Sequence, residues 1–201
     1  MEIAIALVIL VFSIILHETA HGFVAYLNGD PTARDAGRLT LNPLPHLDPF
    51  GSVFLPVLLV LTHSPLLFGW AKPVPFNPRN FRNRKIGIFT VGVAGPLTNM
   101  ALAFVFSLAL RAQGTENVLF PVWFYGTSVN VFLALFNLVP IPPLDGSRAV
   151  SVFLPRALKK GYDSLERWGF VIVLVLLYAG WLNRILGPAY VWVMTRLTGI
   201  Q

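Results

Sequence analysis

The residues best placed to do chemistry are His17, Glu18 and His21, in the run His17-Glu18-Thr19-Ala20-His21. On a helix, positions i and i+4 share a face, so both imidazoles can address a single ion. Glu18 stands beside the first histidine and can take a proton from a water at that ion without ligating the metal. By composition alone the pattern should arise by chance in well under ~1% of chains of this length. A solvated helix surface could carry the same residues. These lie inside the apolar run 3–27, where ionisable groups are costly and point to function.

The chain has no cysteine, so thiolate ligands and disulfides are excluded and a metal must be held by His, Asp or Glu. A catalytic zinc takes three protein ligands and keeps a fourth position for water. Candidates for the third are His46, Asp48, His63 and Asp145. Asp145 closes the run Asn137-Leu-Val-Pro140-Ile-Pro142-Pro143-Leu144-Asp145-Gly146, whose prolines interrupt a helix and let the carboxylate turn inward. A turn or N-cap aspartate before Gly146 is the competing use of the same residue.

The elements that must position these groups are membrane helices. Of 201 residues, 55% are hydrophobic and 12% charged, with a mean hydropathy of +0.68. Soluble domains carry about 25% charged residues. Apolar stretches at 3–27, 86–110, 118–139 and 169–186 are long enough to read as spans or near-spans. The last has a possible continuation over 188–197, broken at Asn183-Arg184 and Gly187-Pro188. A further stretch, 50–70, is cut by Pro56, His63-Ser64-Pro65 and Gly69. The first run shows no cleavage site and is expected to remain as a span. The expectation is an all-α polytopic membrane protein with about 4–6 membrane segments. It forms one membrane-embedded domain over 1–201, with a catalytic core of about 1–150 and C-terminal membrane segments over 169–201.

The net charge of +6 sits in loops between apolar runs, which reports topology and contact with anionic lipid rather than nucleic acid. The loops 30–49 (with Arg34 and Arg38), 71–85 and 146–168 carry Lys or Arg, whereas 112–117 has none. Short basic loops stay in the cytoplasm. The stretch 50–70 must then enter and leave on one side, as a re-entrant hairpin covered by protein or lining a cavity. An ordinary span is the alternative on length alone.

Three motifs now stand in order: His17-Glu18-x-x-His21, Gly95-Pro96-x-x-Asn99 and Asn137-x-x-Pro140-x-Pro142-x-Leu144-Asp145-Gly146. Together they resemble the site-2 protease family of intramembrane zinc metalloproteases, in a small prokaryotic form without PDZ or CBS domains, over about residues 5–150. The resemblance implies one Zn2+ per chain on His17, His21 and Asp145, with Glu18 as general base. It also implies hydrolysis of peptide bonds in transmembrane helices of membrane-protein substrates. For one ion to be shared, the spans bearing His17/His21 and Asp145 must run in the same direction, with 86–110 supplying the crossing between them. The site then lies towards the cytoplasmic side of a multi-pass protein in the prokaryotic plasma membrane.

Asn137 and Asn99 are intramembrane amides able to hold a substrate backbone or an oxyanion, or to bond one helix to another. The substrate role suits Asn137, which adjoins the ligand loop. Gly95-Pro96 favours a packing role for Asn99. The segment around Gly37-Arg38-Leu39-Thr40-Leu41-Asn42-Pro43, His46 and Asp48 resembles a signature of one subgroup of small prokaryotic members. His46 and Asp48 could form a pair behind the ligands, a proton path or a second metal contact; a capped turn is the alternative. His63 reads as a turn residue at the hairpin tip. The proline-rich run 69–79 should be extended, either an edge for an unwound substrate strand or a loop against lipid headgroups. Expected partners are transmembrane-helix substrates and the bilayer, with no nucleic acid and the oligomeric state open. A metal-ion transporter or sensor, or an inactive helix-binding scaffold, could use the same residues.

Overall fold

The computed structural model describes residues 2–62 and 71–200, and these form helices and irregular turns with no strand among them. The helices are α1 (Glu2–Leu27), α2 (Thr32–Asp35), α3 (Leu55–Leu61), α4 (Arg84–Gln113), α5 (Phe120–Asn137), α6 (Asp145–Ser151), α7 (Arg156–Ser164), α8 (Glu166–Tyr178) and α9 (Trp181–Thr198). Among the described residues, α1 and α4 are long and apolar enough to cross a membrane. Their 26 and 30 residues rise about 1.5 Å each, which exceeds a hydrocarbon core of about 30 Å.

Helix α4 is the central element and packs on α1, α5, α6 and α9. The Asn83 side chain starts it, accepting from the N–H groups of Lys85 and Ile86 at 3.1 Å each. Gly114, at φ +73°, stops it. Bonds between helices fix their directions. His21 meets Val91 and His17 meets Asn99, so α1 and α4 are antiparallel. Asn99 meets Asn130 and Gln113 meets Trp123, so α4 and α5 are antiparallel too. Helices α1 and α5 therefore run the same way, with Glu2 bonded to Tyr125 and Ser13 to Asn130. That is the relation two spans need if His17/His21 and Asp145 are to share one end.

The C-terminal part departs from expectation. The stretch 169–186 is not one segment broken at Asn183-Arg184 or Gly187-Pro188; it divides into α8 and α9. The break falls at Gly180, which takes the left-handed conformation (φ +71°) that only glycine adopts without steric cost. Helix α9 continues through Pro188, because a proline removes one backbone donor without obliging the helix to end. Residues 49–61 form a short π-helix, Pro49–Phe54, and α3. His63 and the remainder of the 50–70 stretch lie outside the described residues, as do the first two residues of 69–79.

Candidate metal centre

His17 and His21 lie on the face of α1 turned to α4, and both are buried. The close approach of that helix depends on Gly95. A Cβ at this position would lie 2.5 Å from Nε2 of each histidine, so no larger residue fits beneath the two rings. Gly92, one turn earlier, lets the first turn of α6 approach, where the Asp145 carbonyl and the Ala149 amide would meet a Cβ. Gly146 leaves the same kind of room for the Leu138 carbonyl, which folds the 138–144 turn back and starts α6 at Asp145.

Three donor atoms converge. Nε2 of His17 and Nε2 of His21 are 3.0 Å apart, and Oδ2 of Asp145 lies 3.0 Å from the first and 3.1 Å from the second. Their far nitrogens decide what these near atoms can be. Nδ1 of His21 faces the Val91 carbonyl at 2.7 Å, and a carbonyl only accepts, so Nδ1 carries the proton. Nδ1 of His17 faces Oδ1 of Asn99 at 2.5 Å. The orientation of that amide is itself fixed, because Asn99 Nδ2 donates to Asn130 Oδ1 at 2.8 Å. Asn130 is fixed in turn by donating to the Gly126 carbonyl and to Ser13 Oγ. With both protons on Nδ1, both Nε2 atoms present lone pairs.

Two lone pairs and a carboxylate oxygen, buried and within 3.1 Å of one another, repel unless a cation lies between them. Zn–N and Zn–O bonds of about 2.0–2.2 Å place neighbouring ligand atoms of a tetrahedral ion roughly 3.3 Å apart. The donor set fits such an ion, and Nδ1–H bonded to a fixed acceptor is how zinc-ligating histidines are ordinarily held.

Glu18 has a carboxylate oxygen within 4.8 Å of the histidine donors. Its Oε2 accepts the Val74 N–H at 2.9 Å, which ties it to the non-helical segment 71–77. Glu18, Asn137, Asp145 and Arg148 all line one cleft of about 640 Å³, with Phe136, Phe170 and Val173 as apolar wall. Arg148 stands with Nη1 3.8 Å from Asp145 Oδ1 and its guanidinium 5.3 Å from the centre of the Phe76 ring. The Asn137 carboxamide borders the cleft while donating to Leu133 O at 3.0 Å.

The other sequence candidates lie elsewhere. Asn99 is fully buried and engaged by His17 and Asn130, so it stands behind a ligand and does not face a substrate. His46 is buried, with Nε2 2.9 Å from the Thr40 carbonyl and its own carbonyl accepting from Lys72 N. Asp48 caps a turn, accepting from the N–H groups of Phe50 and Gly51. Neither borders the cleft. Sequence reasoning missed Ser13, Asn130 and Arg148. Ser13 and Asn130 are polar residues inside apolar runs, and Ser13 is one turn before His17, which was the available signal.

A helical bundle with long apolar helices and a buried two-histidine, one-aspartate donor set beside a glutamate is the form of a membrane zinc metalloprotease. The chain belongs to peptidase family M50, the site-2 protease family, and is a zinc metalloprotease of the intramembrane type. The model of Peptidase family M50 matches residues 108–180. The protein YwhC of Bacillus subtilis is 41% identical over 179 residues, covering 83% of this chain and 77% of that protein. Rip2 of Mycolicibacterium smegmatis is 35% identical over 176 residues, covering 86% and 66%. Rip2 of Mycobacterium tuberculosis is 32% identical over 175 residues, covering 85% and 65%. All three carry provisional names as zinc metalloproteases. No solved structure matches the chain.

Proposed function

We propose that the protein hydrolyses peptide bonds within or near transmembrane helices of membrane-protein substrates, using one Zn2+ held by His17, His21 and Asp145. The observation that carries the ligand assignment is the triangle of three buried donor atoms with edges of 3.0–3.1 Å. A zinc ion there supplies Lewis acidity towards a peptide carbonyl and acidifies a water. Glu18 is the proton carrier. One of its oxygens is held by Val74 N–H, leaving the other to receive the water's proton and deliver it to the departing amide nitrogen. The Asn137 carboxamide, at the cleft wall, is the group to bond the substrate carbonyl. A helical substrate must unwind locally first, because its carbonyls are otherwise bonded within the helix.

The proposed topology is multi-pass, with α1, α4 and α5 as spans, the 50–70 stretch re-entrant, α8 and α9 completing about 4–6 segments, and the cleft opening towards the cytoplasm. Loop charge supports that orientation, and the shared direction of α1 and α5 supports the crossing pattern. We treat residues 1–201 as one membrane-embedded domain whose partners are transmembrane-helix proteins and lipid.

The direct test of the roles is Glu18→Gln. The variant should retain zinc and lose cleavage of a single-span reporter in proteoliposomes by at least about a hundredfold, the usual scale for a general base. Loss of zinc with cleavage retained would make Glu18 a ligand and end this assignment.

A further inference from the structure

Segment 71–77 borders the cleft as a non-helical strap, and three of its amides are occupied. Lys72 N–H donates to the His46 carbonyl at 2.9 Å, Val74 N–H to Glu18 at 2.9 Å and Asn77 N–H to Asp30 at 2.6 Å. Pro73 and Pro75 have no amide hydrogen, so four successive positions, 72–75, offer no free donor to an added strand. The strap's carbonyls are held from below. Arg38, a buried residue, donates from Nη2 to Lys72 O at 2.6 Å and towards Pro73 O at 3.4 Å. Among the described residues no carboxylate pairs with Arg38, and its buried Nε has no partner. Burying a guanidinium without a counter-charge is costly, yet here the hydrogen bonds it makes all go to the strap. Gly22 lets the strap sit on α1 one turn after Glu18, since a Cβ there would lie 2.9 Å from Val74 Cγ1.

We infer that Arg38 is a positioning residue for the general base: it seats the strap, and the strap presents the Val74 N–H that fixes Glu18. This rests on the protease reading above. The chain of contacts is Arg38 Nη2 to Lys72 O, two residues along the strap to Val74 N, and Val74 N to Glu18 Oε2. A carboxylate bonded through one oxygen to a rigid backbone keeps its other oxygen aimed, which is what proton transfer requires. The strap is thus part of the catalytic apparatus rather than a surface for strand addition.

The test uses the full-length zinc-loaded enzyme with fluorescein-labelled casein as an unfolded probe, so substrate unwinding does not enter. Wild type should cleave it and Glu18→Gln should not; failure at this stage would count against the protease reading, not against Arg38. Arg38→Met should then keep its zinc and lower kcat by roughly tenfold to a hundredfold with KM within about threefold, a fraction of a general base's whole contribution. Arg38→Lys, which can still reach a carbonyl, should restore part of kcat. Val74→Pro removes the N–H together with the side chain and should reproduce the kcat loss, whereas Val74→Ala, which removes the side chain but keeps the N–H, should retain a clearly higher kcat than Val74→Pro. This second pair decides the matter if Arg38→Met fails to fold. A kcat within twofold of wild type in Arg38→Met or Val74→Pro overturns the proposal. So does loss of zinc in parallel with activity, which would mark a structural role.

Discussion

Each imidazole at the metal centre commits Nδ1 to a fixed acceptor, Asn99 for His17 and the Val91 carbonyl for His21. The difference between the two is instructive. His21 relies on a backbone group that no substitution removes, whereas His17 relies on a side chain that is itself held by Asn130 and Ser13. Asn99→Leu should therefore weaken zinc binding about 10–100-fold, the usual cost of losing a partner behind a metal-ligating histidine. Competition with a chromophoric chelator would measure it; unchanged zinc affinity would show that Asn99 does not hold His17. At this scale the histidine pair was legible in the sequence, because i, i+4 spacing on a helix is a local property. Asp145, 124 residues away from His21, stood in the sequence as one of four candidates, and only the family motif singled it out. The Ser13–Asn130–Asn99 relay joins three helices, and nothing local predicts which polar residues of separate helices will meet.

At the scale of elements, the turn after α1 depends on Asp30. Its carboxylate is fully buried and accepts from Thr32 N and Oγ1, Asn77 N and Asn80 Nδ2, which binds the α1–α2 corner to the strap and the turn after it. Burial by itself pushes the Asp30 carboxyl up, but these hydrogen bonds outweigh it and hold the group below its ordinary range. The unfolded chain then binds the proton more readily. The stabilisation is complete above the ordinary value of about 4 and is lost as pH falls through the lower folded value. Asp30→Asn should cost about 1–3 kcal/mol near neutral pH, the scale for hydrogen bonds to a charged group. The gap between its unfolding midpoint and that of wild type should narrow as the pH is lowered below about 4. Thermal unfolding in detergent over that range checks both statements, and a gap independent of pH would contradict them. That the strap would not be helical was legible from its prolines, but its anchors were not. Likewise the break before α9 falls at Gly180, whose left-handed φ ends a helix, while Pro188 is absorbed within one.

For the whole molecule, the parallel course of α1 and α5 with α4 between them brings the histidine and aspartate ends of the bundle together. The membrane orientation proposed for that bundle follows from loop charge, and the absence of cysteine makes the chain a ready background for testing it. Single cysteines at Arg82 and Lys160 should react with an impermeant maleimide only from the cytoplasmic side, and one at Glu116 only from the outside. Labelling of Arg82→Cys and Glu116→Cys from the same side would remove α4 as a crossing segment. Composition announced a membrane protein, because apolar runs exceed what a water-soluble core of this size can bury. It did not show that the apolar stretch 169–186 divides after the 13 residues of α8.

The claim on which the rest depends is that Asp145 completes the metal site from across the bundle. Zinc quantification on purified wild type and Asp145→Ala tests it most directly. One zinc per wild-type chain and a sharply reduced content in the variant is the predicted result; an unchanged content in Asp145→Ala would contradict the three-ligand site.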